Sequence, residues 1–142
     1  MKTKMTKFEI LAEFVKDISS ETKDVQTYLF VKDYISKYQL TISINSLPSK
    51  NKMIEVNTTL KFEDKENNPK KSYFEIIYAS LIKIDENIKE KSELEKIILC
   101  DLQNKIKPNI VKVFTNLINN SGFKGVSFKN IDFEKLYNSR IN

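Results

Sequence analysis

The chain has 142 residues, 40% of them hydrophobic and 30% charged, with 24 lysines and arginines against 19 acids for a net charge of +5. That length suits one domain burying roughly 70% of the surface its unfolded form exposes, and no apolar run approaches the roughly 20 residues needed to cross a bilayer. It has no histidine, which removes the commonest general base, the usual catalytic triads and most zinc sites, so the expectation is a protein that is not an enzyme and carries no cofactor or metal.

The first residues, MKTKMTKFEI, carry lysines but no following apolar core and no small-residue cleavage site, so no signal peptide is expected and the expected compartment is the cytoplasm. From Phe8 to Ser19 the apolar residues Phe8, Ile10, Phe14 and Ile18 suit a strand, while Leu11 and Val15 break strict alternation. A bulge or burial on both faces would account for the break. Ser19 to Asp24 is polar and reads as a loop. Val25 to Ser36, VQTYLFVKDYIS, shows neither helical caps nor clean alternation, so an extended crossing segment is expected. Tyr38, Leu40, Ile42 and Ile44 then alternate with polar residues as a strand. SLPSKNK is turn chemistry, and Ile54, Val56, Thr58, Leu60 and Phe62 alternate again behind it. After the charged loop EDKENNPKK, a fourth strand has Phe74, Ile76, Tyr78, Ser80, Ile82 and Ile84 on one face. Its other face, with Ile77, Ala79 and Leu81, is apolar too, and such a strand wants cover on both sides.

The period then changes. Ser92 with Glu95 has the spacing of a capping box, and Leu94, Ile97, Ile98, Leu102 and Ile106 form a helical stripe up to Pro108. Ile110, Val111, Phe114, Leu117 and Ile118 continue at helical spacing, with Gly122 as the stop. A proline interrupts but need not end a helix, so one kinked helix and two helices both fit. Leu99 and Cys100 lie off the main stripe, where a monomer would leave them wet. Cys100, the single cysteine, otherwise reads as a small buried hydrophobe. Asp132 can cap a last helix carrying Phe133, Leu136, Tyr137 and Ile141. Four strands followed by helices make an α+β fold with an antiparallel sheet. A basic excess can mark nucleic-acid binding, but the only arginine is Arg140 and the lysines are scattered, so no nucleic-acid partner and no membrane insertion are expected.

Three segments together resemble the SecB family of protein-export chaperones: VKDIS followed by Glu21; FVKDYISKYQLTI; and the tail in which Pro108, Asn109 and Ile110 open a helix, Gly122 closes it and NIDFEKLY enters the last one. The resemblance runs from about Lys7 to Ile141. It implies a four-stranded antiparallel sheet with helices packed on one face, first strands pairing into dimers, and dimers stacking through the long helix into a homotetramer. It also implies a chaperone that binds unfolded precursor proteins in apolar grooves and delivers them to the SecA translocase motor. A SecB-like chaperone dedicated to one partner, such as an antitoxin of a toxin–antitoxin pair, is the alternative.

By match to the family's crossover segment and second strand, Phe30, Tyr34, Tyr38, Leu40 and Ile42 are the candidate groove residues. Tyr38, Leu40 and Ile42 fit ordinary core packing as well. Asp17, Glu21 and Glu75 match family positions that contact the basic, zinc-binding tail of SecA, and they fit a solvated acidic surface equally.

Overall fold

The computed structural model describes residues 7–128 and 130–141, without the side chains at 140 and 141, so Arg140, and Ile141 of the predicted last stripe, lie outside the described side chains. Strand β1, Phe8–Glu21, holds the irregularity that its sequence announces. Its pairing with β4, Tyr73–Ile84, shifts register between Ile10 and Ala12 and again between Val15 and Asp17. Each shift inserts a residue and resets which side chains face inward. Hence Val15 lies opposite Tyr78 on the covered face, while Phe14 and Asp17 lie opposite Ala79 and Ile77 on the other. β1 also runs further than its polar end suggests. Ser19, Ser20 and Glu21 pair with Glu75, Phe74 and Tyr73, so the loop expected from Ser19 begins only after Glu21.

β2, Gln39–Pro48, and β3, Met53–Glu63, complete an antiparallel sheet in the order β1-β4-β3-β2. The predicted turn tightens to Ser49–Lys52, closed by Ser49 N–H donating to the Met53 carbonyl at 2.8 Å.

Val25–Tyr34 is a helix, α1, and the extended crossing expected there is corrected. Asp24 is its cap: the carboxylate accepts from Thr27 N–H at 2.8 Å, and hydrogen bonding with Thr27, first its side chain and then its backbone N–H, holds the Asp24 carboxyl below its ordinary value. The helix escaped the pattern because apolar residues occur all round it. Only Thr27 and Val31 are buried, while Val25 and Leu29 stay 66% and 52% exposed. α1 carries the chain from the β1 edge to the β2 edge. It is pinned there by Tyr28, whose ring lies 5.0 Å from that of Phe123 and whose hydroxyl donates to the Gly122 carbonyl at 2.9 Å.

Residues 91–120 form one helical run, in three parts: α2, Lys91–Lys96; a π turn, Ile97–Asp101; and α3, Leu102–Asn120. The expected capping box does not form, because the helix starts at Lys91 with Glu90 in the cap position, leaving Ser92 inside the first turn. Pro108 lies within α3 without ending it. The carbonyl it deprives of a donor belongs to Asn104, an exposed residue, so the loss falls where water can satisfy it. The run stops as expected at Gly122, with φ +101°: Gly122 N–H donates to Asn119 and Phe123 N–H to Ile118, the paired bonds of a Schellman ending.

The π turn explains the off-stripe residues. One extra residue per turn rotates the stripe, so Cys100 becomes 2% exposed and Leu99 half-buried within a single chain. No second copy is needed to cover them. Gln103, fully buried, stabilises the turn from the side: its amide donates to the Ile98 carbonyl at 3.2 Å and its oxygen accepts from the Thr58 hydroxyl at 3.0 Å.

The helices lie on one face of the sheet. Between them and the sheet, Phe62, Phe74, Phe114, Phe123 and Phe128 form an aromatic core with ring centroids 5.0 to 6.3 Å apart. The last helix, α4, Phe133–Ile141, is capped by Asp132 as expected, whose carboxylate accepts from Lys135 N–H at 3.0 Å. The opposite face of β4 is covered less than its apolar residues suggest, with Ala79 buried but Ile77 and Leu81 half-buried.

Candidate functional sites: an apolar groove and an acidic corner

β2 is an edge strand, and the inward-facing residues that its alternation supplies meet the segment after α3 rather than another strand. Between them lies a groove of about 890 Å³. Tyr38, Leu40 and Ile42 form its strand wall, and Val126, Ile131 and Leu136 face them from residues 124–132 and α4. Tyr38 is the rigid part: buried, with its ring 5.4 Å from Phe62, it accepts from Ser72 N–H at 3.0 Å. Burial pushes its phenol up. Leu40 and Ile42 are half-buried, with apolar surface to offer. A smaller cavity of about 160 Å³, again walled by Leu40 and Ile42, lies toward Leu99 and Tyr137. α4 therefore roofs β2, anchored by Phe133 at 1% exposure, while Leu136 on the same helix is 43% exposed.

Three of the five expected groove residues thus come together. Phe30 and Tyr34 stand outside the lining, stacked on each other on α1 with centroids 5.5 Å apart. Lys37 Nζ lies over the Tyr34 ring at 5.5 Å. The α4 contribution was missed: Phe133, Leu136 and Tyr137 read as an ordinary helical stripe, and nothing in that stripe says that only part of it is buried.

On the opposite face of the sheet, away from the helices, the strand register assembles the acidic residues. Glu21 lies opposite Tyr73, Ser19 opposite Glu75, and Asp17 opposite Ile77, so Asp17 and Glu21 run along β1 beside Glu75. Lys61 faces Glu75 from β3. Glu63 sits at the same end, with Lys65 Nζ 3.9 Å from it. The Tyr73 hydroxyl donates to Glu75, and this bond, followed by burial and the charges of Glu75, Glu63 and Asp17, pushes the phenol up to about 12. Tyr73 therefore reports the negative field of the corner. Further along, Lys16, at the second bulge, pairs with Glu55 across β4.

Tyr78 is pushed up to about 12 as well, by burial and by donating to Glu13 at 2.7 Å. A tyrosine that holds its proton more tightly when folded contributes stability below its unfolded value of 10.0 and loses it as pH rises through the folded value. Stability should therefore fall between about pH 10 and pH 12. Absorbance titration of the folded protein should show tyrosines ionising near the upper value, and Glu75→Gln should return Tyr73 toward 10. If every tyrosine titrates near 10, the coupling to Glu75 is not there.

Among the described residues no helix is long and apolar enough to cross a membrane. A family model described as preprotein translocase subunit SecB matches residues 1–142. A protein of Pelagibacter ubique (strain HTCC1062), provisionally named protein-export protein SecB, is 52% identical over 136 residues, covering 95% of this chain and 97% of its own. Among solved structures, the SecB-like chaperone Rv1957 of Mycobacterium tuberculosis, in complex with a ChAD peptide from the HigA1 antitoxin, superposes with a TM-score of 0.61. It is 10% identical and covers 88% of this chain and 91% of its own, a likeness of fold alone. The end-to-end family match and the 52% identical relative carry the conclusion that the four-strand sheet and its helices suggested: the chain belongs to the SecB family of protein-export chaperones.

Proposed function

We propose that this chain holds unfolded precursor proteins by their apolar segments in the groove between β2 and α4, works in the cytoplasm as a homotetramer, and hands its clients to the SecA motor through the corner formed by Asp17, Glu21 and Glu75. The observation that carries this reading is an open apolar groove of about 890 Å³ on a chain of an export-chaperone family. Such a groove reads apolar area and not sequence. Burying about 200 Å² of client surface is worth roughly 5 kcal/mol before ordering costs. Several grooves visited by one long client turn that modest contact into avidity, because later contacts are intramolecular.

The support for assembly is β1. Among the described residues it pairs only with β4, leaving its other edge without a strand, and Leu11, Phe14, Val15 and Ile18 along it are all at least 40% exposed. A long apolar edge strand is an aggregation hazard unless a second copy covers it. Phe30 and Tyr34, on α1 just before the groove mouth, extend the client path in this reading. The experiment is native mass spectrometry with and without an unfolded client, alongside refolding assays on a panel of unrelated proteins. A tetramer that slows refolding across the panel without nucleotide is expected. A monomer at micromolar concentration overturns the assembly, and protection of a single client would favour a dedicated chaperone.

A further inference from the structure

The groove is apolar on its walls but not neutral at its rim. Among the described residues, its charged lining is Lys124, Lys135 and Asp132. Both lysines are exposed, and neither takes part in an ion pair among the described residues. Asp132 is already engaged as the cap of α4, accepting from Lys135 N–H. The remaining polar lining residues, Ser36, Ser127, Asn130 and Ser139, are uncharged. Among the described residues, the rim therefore presents a net positive charge with two ammonium groups outside any ion pair, on a chain whose overall charge is +5.

Resting on the groove assignment above, we infer that this site selects among unfolded segments by charge, favouring apolar stretches flanked by aspartates or glutamates over the same stretches flanked by lysines or arginines. The walls supply adhesion that any apolar segment satisfies. The rim then discriminates, because a carboxylate beside the apolar core meets an ammonium with no competing internal partner, whereas a client lysine meets repulsion. The net charge of the chain adds attraction of acidic polypeptides at long range, which raises the rate of encounter. The two faces of the sheet then carry opposite preferences. The corner of Asp17, Glu21, Glu63 and Glu75 repels the acidic segments that the groove attracts, and basic ligands are turned from the groove toward the corner.

The test uses the full chain and fluorescent peptides sharing one uncharged apolar core, flanked by aspartates, serines or lysines, with affinity measured by anisotropy at low and high salt. The aspartate-flanked peptide should bind about tenfold more tightly than the lysine-flanked one at low salt, the serine-flanked peptide falling between, and the gap should shrink to about twofold at high salt. Lys124→Glu combined with Lys135→Glu should reverse the order, the lysine-flanked peptide then binding most tightly and the serine-flanked peptide again falling between. Because both lysines are exposed, the circular dichroism melt should not move. If the serine-flanked peptide binds and flank charge has no effect, or lysine flanks bind best, selection by the rim is overturned and the groove stands. If the serine-flanked peptide does not bind, the groove assignment falls and the selection falls with it.

Discussion

Replacing Leu40 and Ile42 together by serine is expected to weaken holding of unfolded clients about thirtyfold while the protein stays folded. Each side chain is half-buried, so roughly half of its surface is already committed to the chain's own core and the rest is offered to the groove. Withdrawing that remainder from client contact forfeits about 1 kcal/mol per residue, and the two together give the stated factor. Stability should fall by a similar amount per residue, because both also pack against the core cluster. The discriminating measurement pairs client affinity with a urea melt followed by circular dichroism, since the chain has no tryptophan. A lowered melt with client affinity unchanged would mean that Leu40 and Ile42 are core residues and nothing more. Tyr34→Ser supplies the contrast. Tyr34 lies outside the lining, so that variant should weaken holding by a few-fold at most.

The second large effect concerns the opposite face. Asp17→Lys with Glu21→Lys should weaken binding of a basic SecA tail peptide at least tenfold and leave client holding untouched. Both residues lie on β1 beside Tyr73 and Glu75, and neither is in an ion pair among the described residues. Exposed pairs are worth about 0.5 to 1 kcal/mol each, and reversing a sign replaces attraction with repulsion of similar size. The overall charge of +5 opposes a cationic ligand at long range. Attraction is therefore confined to contacts within about a Debye length, roughly 8 Å at physiological salt. The effect should appear chiefly in the association rate and diminish as salt is added. Calorimetric titration of the two proteins decides: equal heats and affinities would reduce the corner to a solvated surface.

The strands were legible where each residue's role depends on its immediate neighbours. Alternation from Tyr38 to Ile44, from Ile54 to Phe62 and from Phe74 to Ile84 identified the covered face correctly, because side chains on a strand must alternate and one face must find the core. The broken alternation at Leu11 and Val15 anticipated the irregularity of β1, and Asp132 and Gly122 marked helix ends by their own local bonds. α1 was not legible. Its cap, Asp24 with Thr27, was overlooked, and apolar residues on every side of the helix erase the periodic signal. The reason emerges only in three dimensions, where Val25, Leu29 and Phe30 remain exposed in the single chain.

By itself, then, the sequence determined the fold class, the number of strands and the family resemblance, all carried by spacing along the chain. Tertiary structure alone decided three other matters. It set the π turn, because the partner that steadies it, Thr58 with Gln103, comes from a strand 45 residues away. It formed the groove, because Leu136 faces Leu40 only once α4 folds back over an edge strand. It gathered Asp17, Glu21 and Glu75, because a one-residue change in the pairing of β1 with β4 would turn a strand's side chains to the opposite face. Register, packing and hydrogen-bond satisfaction are contacts between distant segments, and they acquire definite values only when the sheet has closed on its helices.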